Sequence, residues 1–321
     1  MIFLARRWLL CSALALAVGC GGSGQEVIVK TADGRGLTAE DIDRAPLALL
    51  PPDGFAWAHV DVTRAAQSNV GQRLLEYAES RVPIPPETGF VPRRDLTRVV
   101  LGAYSLQGVD FAGVASGRFD PERIAQAAAN PSSTVLGARL VESEYAGRKL
   151  YTVQNVGFVV LTPHTLLFGN ETGIRRSLDR IQEGRAQSEL PGWVSELLAA
   201  PTAHFVTGFD LTTGPVATAV APRLVFLRGA QLARVLGNFE PPGVNLAGTI
   251  TYPDEQAAVN GAADLQRQGS NVAFAARLLG LGKPIQKLEA QPTGNDAQFV
   301  ISLDESALDK ALGLLSRLEA R

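Results

Sequence analysis

Apolar residues recur along this chain with two periods, and stretches of the two kinds alternate. Ala66, Val70, Leu74 and Ala78 return every four residues and mark one face of a helix. Leu308, Ala311, Leu312, Leu315 and Leu318 make an amphipathic helix near the C-terminus, and Ser302 and Glu305 stand at capping-box spacing ahead of it. Asp120-Pro121 supplies an N-cap and a first-turn proline for another helix. Between these, short runs predict strands at Val99–Tyr104, Phe111–Ala115, Lys149–Val153, Gly157–Leu161, Leu166–Gly169 and Gln298–Leu303. Strands joined by short turns, with helices between the groups, predict an α+β fold: two related units of mostly antiparallel sheet with helices packed on one face. The other face is then left to solvent, to the second unit or to a ligand.

The two units follow from an internal repeat. Pro52 to Thr63 and Pro201 to Thr212 each run from proline through an alternating strand to an Asp-x-Thr exit, 149 residues apart. Gly113 to Ile124 and Leu246 to Ala257 each read as strand, aromatic, Pro/Asp corner and helix, with Phe119 and Tyr252 133 residues apart. Leu166 to Phe168 and Val300 to Ser302 each precede a helix, with Glu171 and Asp304 again 133 apart. The drop in offset assigns 16 extra residues to the first copy. The proline-rich run Val82 to Arg94 is the expected insertion and reads as a surface loop, since proline fixes φ and donates no backbone hydrogen bond. Val216 to Leu236 is apolar with spaced arginines. It reads as a buried helix pair broken at Pro222, with a mobile amphipathic lid as the alternative.

The N-terminus carries a different pattern. Arg6 and Arg7 precede an apolar run from Leu9 to Val18 that ends at Gly19-Cys20. The run is about half the ~20 residues that span a bilayer, so a cleaved signal fits better than a permanent anchor. Leu16-Ala17-Val18-Gly19-Cys20 resembles the lipobox of bacterial lipoprotein precursors, with Ala17 where leucine is usual. The resemblance implies acylation of Cys20 as the mature N-terminus, and Gly21-Gly22-Ser23-Gly24 then begins a tether. Acyl chains contribute about 0.8 kcal/mol per buried methylene, so several of them hold a protein firmly on a membrane. Gly21 follows the cysteine where aspartate would resemble an inner-membrane retention signal, which points to an outer-membrane anchor facing the periplasm. The expected divisions are a signal peptide (1–19), a lipidated cysteine and flexible tether (20–45) and two α+β units (46–190 and 191–321). The body also loosely resembles uncharacterised bacterial envelope proteins that join a Pro-strand-Asp opening to a strand, an Asp-Pro corner and a helix. That likeness implies no catalytic residues.

Composition narrows the chemistry. Apolar residues make up 46% of the chain and charged residues 19%, enough to build a core rather than a disordered coil. A net charge of −2 with no basic patch argues against nucleic acid. The only other cysteine, Cys11, lies in the signal, so the mature chain has no intrachain disulfide. His59, His164 and His204 have no second ligand at metal spacing, a Gly-x-Ser-x-Gly elbow is absent, and Gly280-Leu-Gly-Lys283 lacks phosphate-loop spacing and reads as a helix end. Asp61 and Asp210 repeat and suit either paired acid–base work or capping; capping is the simpler role, as it is for Asp120 and Asp254. Trp57, Phe90, Phe119, Tyr151 and Phe158 make the first copy aromatic-rich, which fits a packed core or an apolar groove. No enzyme, cofactor or metal is expected. The expected function is lipid-anchored, non-catalytic binding or scaffolding in the cell envelope, with an envelope protein as partner. The alternative is a carrier or sensor of a hydrophobic ligand such as a lipid, and an envelope hydrolase ranks last.

Overall fold

Two short strands, β1 (Val29–Lys30) and β2 (Gly36–Leu37), pair with each other ahead of the main sheet in the computed structural model. The structure describes residues 29–30, 36–79, 82, 84–105, 110–129, 138–183, 190–200, 202–212, 224–278, 282–306, 308–310 and 312–313. The signal peptide, Cys20 and Gly21 to Gly24 lie outside these residues, as do 213–223, Gly280, Leu281 and the end of the C-terminal helix. The described part of the segment expected as tether includes a helix. Residues Ala39–Arg44 form a helix, α1, whose Thr38 and Asp41 cap each other reciprocally and whose Ile42 is fully buried. Asp43 also accepts hydrogen bonds from Thr162 and Thr165, which ties α1 to the first unit.

The first unit opens with a meander. Strand β3 (Ala56–Asp61) leads through α2 (Val62–Ala65), α3 (Asn69–Glu79) and α4 (Pro92–Asp95) to β4 (Leu96–Ser105) and β5 (Asp110–Gly117). Then come α5 (Pro121–Ala129), β6 (Val141–Tyr145), β7 (Arg148–Val153), β8 (Val156–Val160), β9 (Thr165–Asn170) and α6 (Glu171–Gln182). The second unit has α7 (Gly192–Leu198), β10 (Phe205–Asp210), β11 (Leu232–Asn238), β12 (Gly243–Thr251), α8 (Glu255–Leu278), β13 (Ile285–Thr293) and β14 (Asp296–Asp304). In each unit three strands run side by side, a helix follows, and the last strand returns beside the third. Strand β10 pairs with β3, so the units share one antiparallel sheet of order β13-β14-β12-β11-β10-β3-β4-β5-β9-β8-β7-β6.

The ladders preserve the repeat. Val114 lies opposite Leu167 in the first unit, and Ala247 lies opposite Val300 in the second. Both partners shift by 133 residues, the offset that also separates Phe119 from Tyr252.

Burial differs between the units. In the first, one face sets Val100, Val114, Val159 and Leu167 against Ile42, Ile174, Leu178, Ile181 and Val194 from α1, α6 and α7. The opposite face buries Ala115, Tyr151, Phe158 and Leu166 with Ile124 of α5. In the first unit helices therefore pack on both faces. The first unit's inner strands are buried at consecutive residues, Ala112 to Ala115 and Gly157 to Val159, the pattern of strands covered on both sides. The second unit packs Ala233, Ile250, Ala297 and Phe299 under Ala258, Ala262 and Leu265 of α8.

Three local expectations are corrected. The proline-rich run is not a simple surface loop, because Ile84 and Thr88 are buried and Val82 and Phe90 pack on the same cluster. Residues 224–236 form a short 3-10 turn at Val225–Leu227 and then β11, not a helix. Ser302 does not cap the last helix: its hydroxyl donates to Asn245 Oδ1 at 2.8 Å inside the sheet, while Asp304 accepts from the Ser306 N–H at 3.0 Å.

Candidate functional site

Among the described residues, the face of β11, β12, β14 and β13 turned away from α8 is a trough of about 710 Å3. Its floor is two rows of side chains that cross the strands. Leu236, Ala247, Val300 and Glu289 lie directly opposite one another on β11, β12, β14 and β13. Two residues along each strand, Arg234, Thr249, Gln298 and Gln291 form a second, polar row. Strands stand ~4.8 Å apart and rise ~3.4 Å per residue, so each row is roughly 14 Å long and the rows are about 7 Å apart. Leu236 and Val300 are 36% and 38% exposed, high values for strand residues on a face that the other unit buries.

Helix α7 and the turn after it form the wall, with Glu196, Leu197 and Ala200 lining the trough. The helix sits close to β10 because Gly208 has no side chain: a Cβ there would lie 2.5 Å from the Trp193 ring. Gly208 is directly opposite Arg234. Arg234 Nη1 is 3.8 Å from Glu196 Oε2, and its buried Nε has no hydrogen-bond partner among the described residues. The floor thus pairs an apolar stripe with a cation and neutral amides. It offers a surface for contact.

The residues singled out in the sequence lie elsewhere. Asp61 caps α2 by accepting from the Arg64 N–H at 2.9 Å, and Asp210 accepts from the Thr212 N–H at 2.8 Å. Both end their strands, and β3 and β10 are antiparallel, so the two carboxylates stand at opposite ends of the ladder, roughly 20 Å apart at ~3.4 Å per residue. Asp120 and Asp254 cap α5 and α8. His59 is half-buried on β3 between Val100 and Val206. His164 lies at the β8–β9 turn with Nδ1 3.3 Å from the Gly117 carbonyl, and His204 Nδ1 accepts from the Phe239 N–H at 3.1 Å. Among the described residues no three His, Cys, Asp or Glu side chains gather in a way that could hold a metal. The aromatic residues of the first unit fill its core: Trp57, Phe119, Tyr151 and Phe158 are buried, and Tyr151 stacks on Phe158 at 5.3 Å.

This architecture has a counterpart among solved structures. The chain shares the fold of TP0453. Crystal forms IV and III of that protein each match at a TM-score of 0.50 and 11% identity, covering 83% and 82% of this chain and 95% of theirs. Crystal form I matches at 0.50 and 10% identity, over 85% of this chain and 96% of its own. At this identity the likeness carries the fold alone. No protein-family model and no curated protein matches the chain.

Sequence reasoning missed the trough. Its eight floor residues come from four strands, and only cross-strand register brings them together. The alternation Leu232-Ala-Arg-Val-Leu236 was the one available signal, and it reads equally well as a helix.

Proposed function

We propose that this is a lipid-anchored cell-envelope protein, held by Cys20, whose open second-unit face binds a partner in a non-catalytic, scaffolding role. The observation that carries this reading is the contrast between the units. Among the described residues, the ladder that lies under α6 in the first unit has no helix over it in the second, and Leu236 and Val300 of its apolar row are 36% and 38% exposed. Exposed apolar rows cost solubility and mark contact surfaces. Val272, Phe274 and Leu278, 60%, 64% and 73% exposed at the far end of α8, suit a body held close to a membrane. Among the described residues no helix is long and apolar enough to cross one. The outer membrane, facing the periplasm, is the proposed site of anchoring.

A second reading, a carrier of a hydrophobic ligand such as a lipid, draws on the same stripe beside Arg234, which suits an acyl chain with an anionic head. One experiment separates the two: a photo-crosslinking residue at Ala247, irradiated in the intact envelope. A protein-sized adduct supports the scaffold, and a lipid-sized adduct supports the carrier. If Ala247 gives no adduct beyond that of the solvent-facing position Glu183, the trough is not the binding face.

A further inference from the structure

A second cleft, of about 390 Å3, lies in the first unit where the proline-rich insertion meets the start of α5. Three arginines line it: Arg94 on α4, Arg118 after β5 and Arg123 on α5. We infer that this cleft is a binding site for a tetrahedral oxyanion, a phosphate ester in chemical class.

The argument rests on which groups still have bonds to make. Asp95 is buried, and both its oxygens are taken. Oδ2 accepts from the Val91 N–H at 2.8 Å and from Arg94 Nη2 at 2.6 Å. Oδ1 accepts from Arg94 Nε at 2.8 Å and from Arg118 Nη2 at 3.3 Å. Asp120 is committed as well, with Oδ1 capping the Arg123 N–H at 3.0 Å and Oδ2 3.3 Å from Arg123 Nε. The two carboxylates orient the three guanidiniums and have no strong acceptor to spare. Each guanidinium carries five N–H donors, so Arg94 keeps Nη1, Arg118 keeps Nε and Nη1, and Arg123 keeps both terminal nitrogens, with no partner among the described residues. The heads are close together. Arg94 Nη2 donates to the Gly89 carbonyl at 2.6 Å, and a Cβ on Gly89 would lie 3.3 Å from Arg123 Nη1. Arg118 Nη2 donates to the Arg94 carbonyl at 3.2 Å.

The local balance is three cations to two anions in a chain whose overall charge is −2, so the cleft is positive against its background. A planar carboxylate is satisfied by one guanidinium fork, whereas three forks from three segments match the several oxygens of a tetrahedral anion. The Phe90 and Phe119 rings, stacked at 5.6 Å, make the adjoining wall and give the organic part of an ester an apolar surface.

The test is calorimetric titration of the full chain, purified in a non-ionic detergent, with glycerol 3-phosphate and with dihexanoyl phosphatidic acid, sodium chloride matching the ionic strength of each. Saturable binding that Arg118→Gln and Arg123→Gln each weaken roughly tenfold or more is expected, the loss of a charge-assisted hydrogen bond. Both side chains are largely exposed, and Asp95 keeps Arg94 and the Val91 N–H in either variant, so the fold survives. Arg175→Gln, at a surface pair on α6, leaves binding unchanged. Tighter binding of the phosphatidic acid assigns the site to lipid headgroups, and equal binding assigns it to soluble phosphate esters. Absence of saturable binding to either, or binding that survives both substitutions, overturns the site.

Discussion

His59 is a residue whose protonation the fold resists. Burial lowers its pKa below the ordinary 6.5, the Arg98 charge lowers it further, and Asp61 opposes both. Its Nε2 is buried without a hydrogen-bond partner among the described residues. A histidine whose folded pKa is lowered supports the fold while neutral. Its contribution is complete above 6.5, the unfolded value, and is lost as pH falls below it toward the folded pKa. Urea midpoints measured from pH 8 to pH 5 should therefore decline below about 6.5, and His59→Leu should flatten that decline; an unchanged slope in the variant would sink the assignment. Asp95 works in the opposite sense. The Arg94 hydrogen bonds hold its carboxyl below the usual carboxylate range, against the pull of burial, so its stabilisation is present above the unfolded value of 3.8 and fades only in stronger acid. Asp95→Asn leaves Arg94 and Arg118 without a charge partner and should cost about 1–3 kcal/mol. Thermal melts at pH 7 measure that loss, and at pH 3 the gap between variant and wild type should narrow.

Helices and strands here differ in how openly the sequence declares them. Strands β4, β5, β7, β8, β9 and β14 show as apolar runs because both or one of their faces is buried. Strand β6, Val-Glu-Ser-Glu-Tyr, does not, because as an edge strand it is solvated and needs no apolar face. The other edge, β13, carries Lys287, Glu289 and Pro292 for the same reason. Strand β11 reads as a helix because its trough-facing residues include Leu236, so apolar residues fall on both its faces. Helix α8 shows how close contact replaces side-chain volume. A Cβ on Gly261 would lie 2.1 Å from the Tyr252 hydroxyl oxygen, and that hydroxyl donates to the Phe226 carbonyl. Gly261→Ala gains up to ~1 kcal/mol in helix propensity but overpacks the Tyr252 ring, at about 1–3 kcal/mol. A net loss is expected in chemical denaturation, while Gly192→Ala, at the start of α7 with no atom within 4 Å of a new Cβ, should be neutral or mildly stabilising. If both variants gained stability, the tight α8–Tyr252 contact would be wrong.

The two units meet at the β3–β10 ladder, and neither core stops there. Trp193 and Val194 of α7 pack with Trp57 and Val100 in the first unit's cluster, while Phe55, Ala56 and Ala103 pack with the cluster under α8. The repeat is legible in the sequence at offsets of 149 and 133, but the joining of its copies is not, since strand pairing between the copies leaves no spacing to read. The pairing fixes a mechanical expectation. Thr207 lies opposite Ala58 at the middle of the seam, is flanked on its other side by β11, and donates its hydroxyl to the Trp57 carbonyl at 3.0 Å. Proline at this position removes a ladder N–H and places its ring between two strands, a cost of about 3 kcal/mol or more. Because both cores cross the seam, Thr207→Pro should speed amide hydrogen exchange in β5 and β12 alike, and unfolding should remain one transition at a lower midpoint. Exchange that quickens only on the β12 side, with β5 protected as in the wild type, would mean that the first unit stands without the second. The sheet would then be two folding units placed edge to edge rather than one. That outcome also bears on the trough, because its wall, α7, rests on Gly208 at the same seam: loosening the ladder moves Glu196 and Leu197 off the floor rows, and adduct formation at Ala247 should fall in step with lost protection at β10.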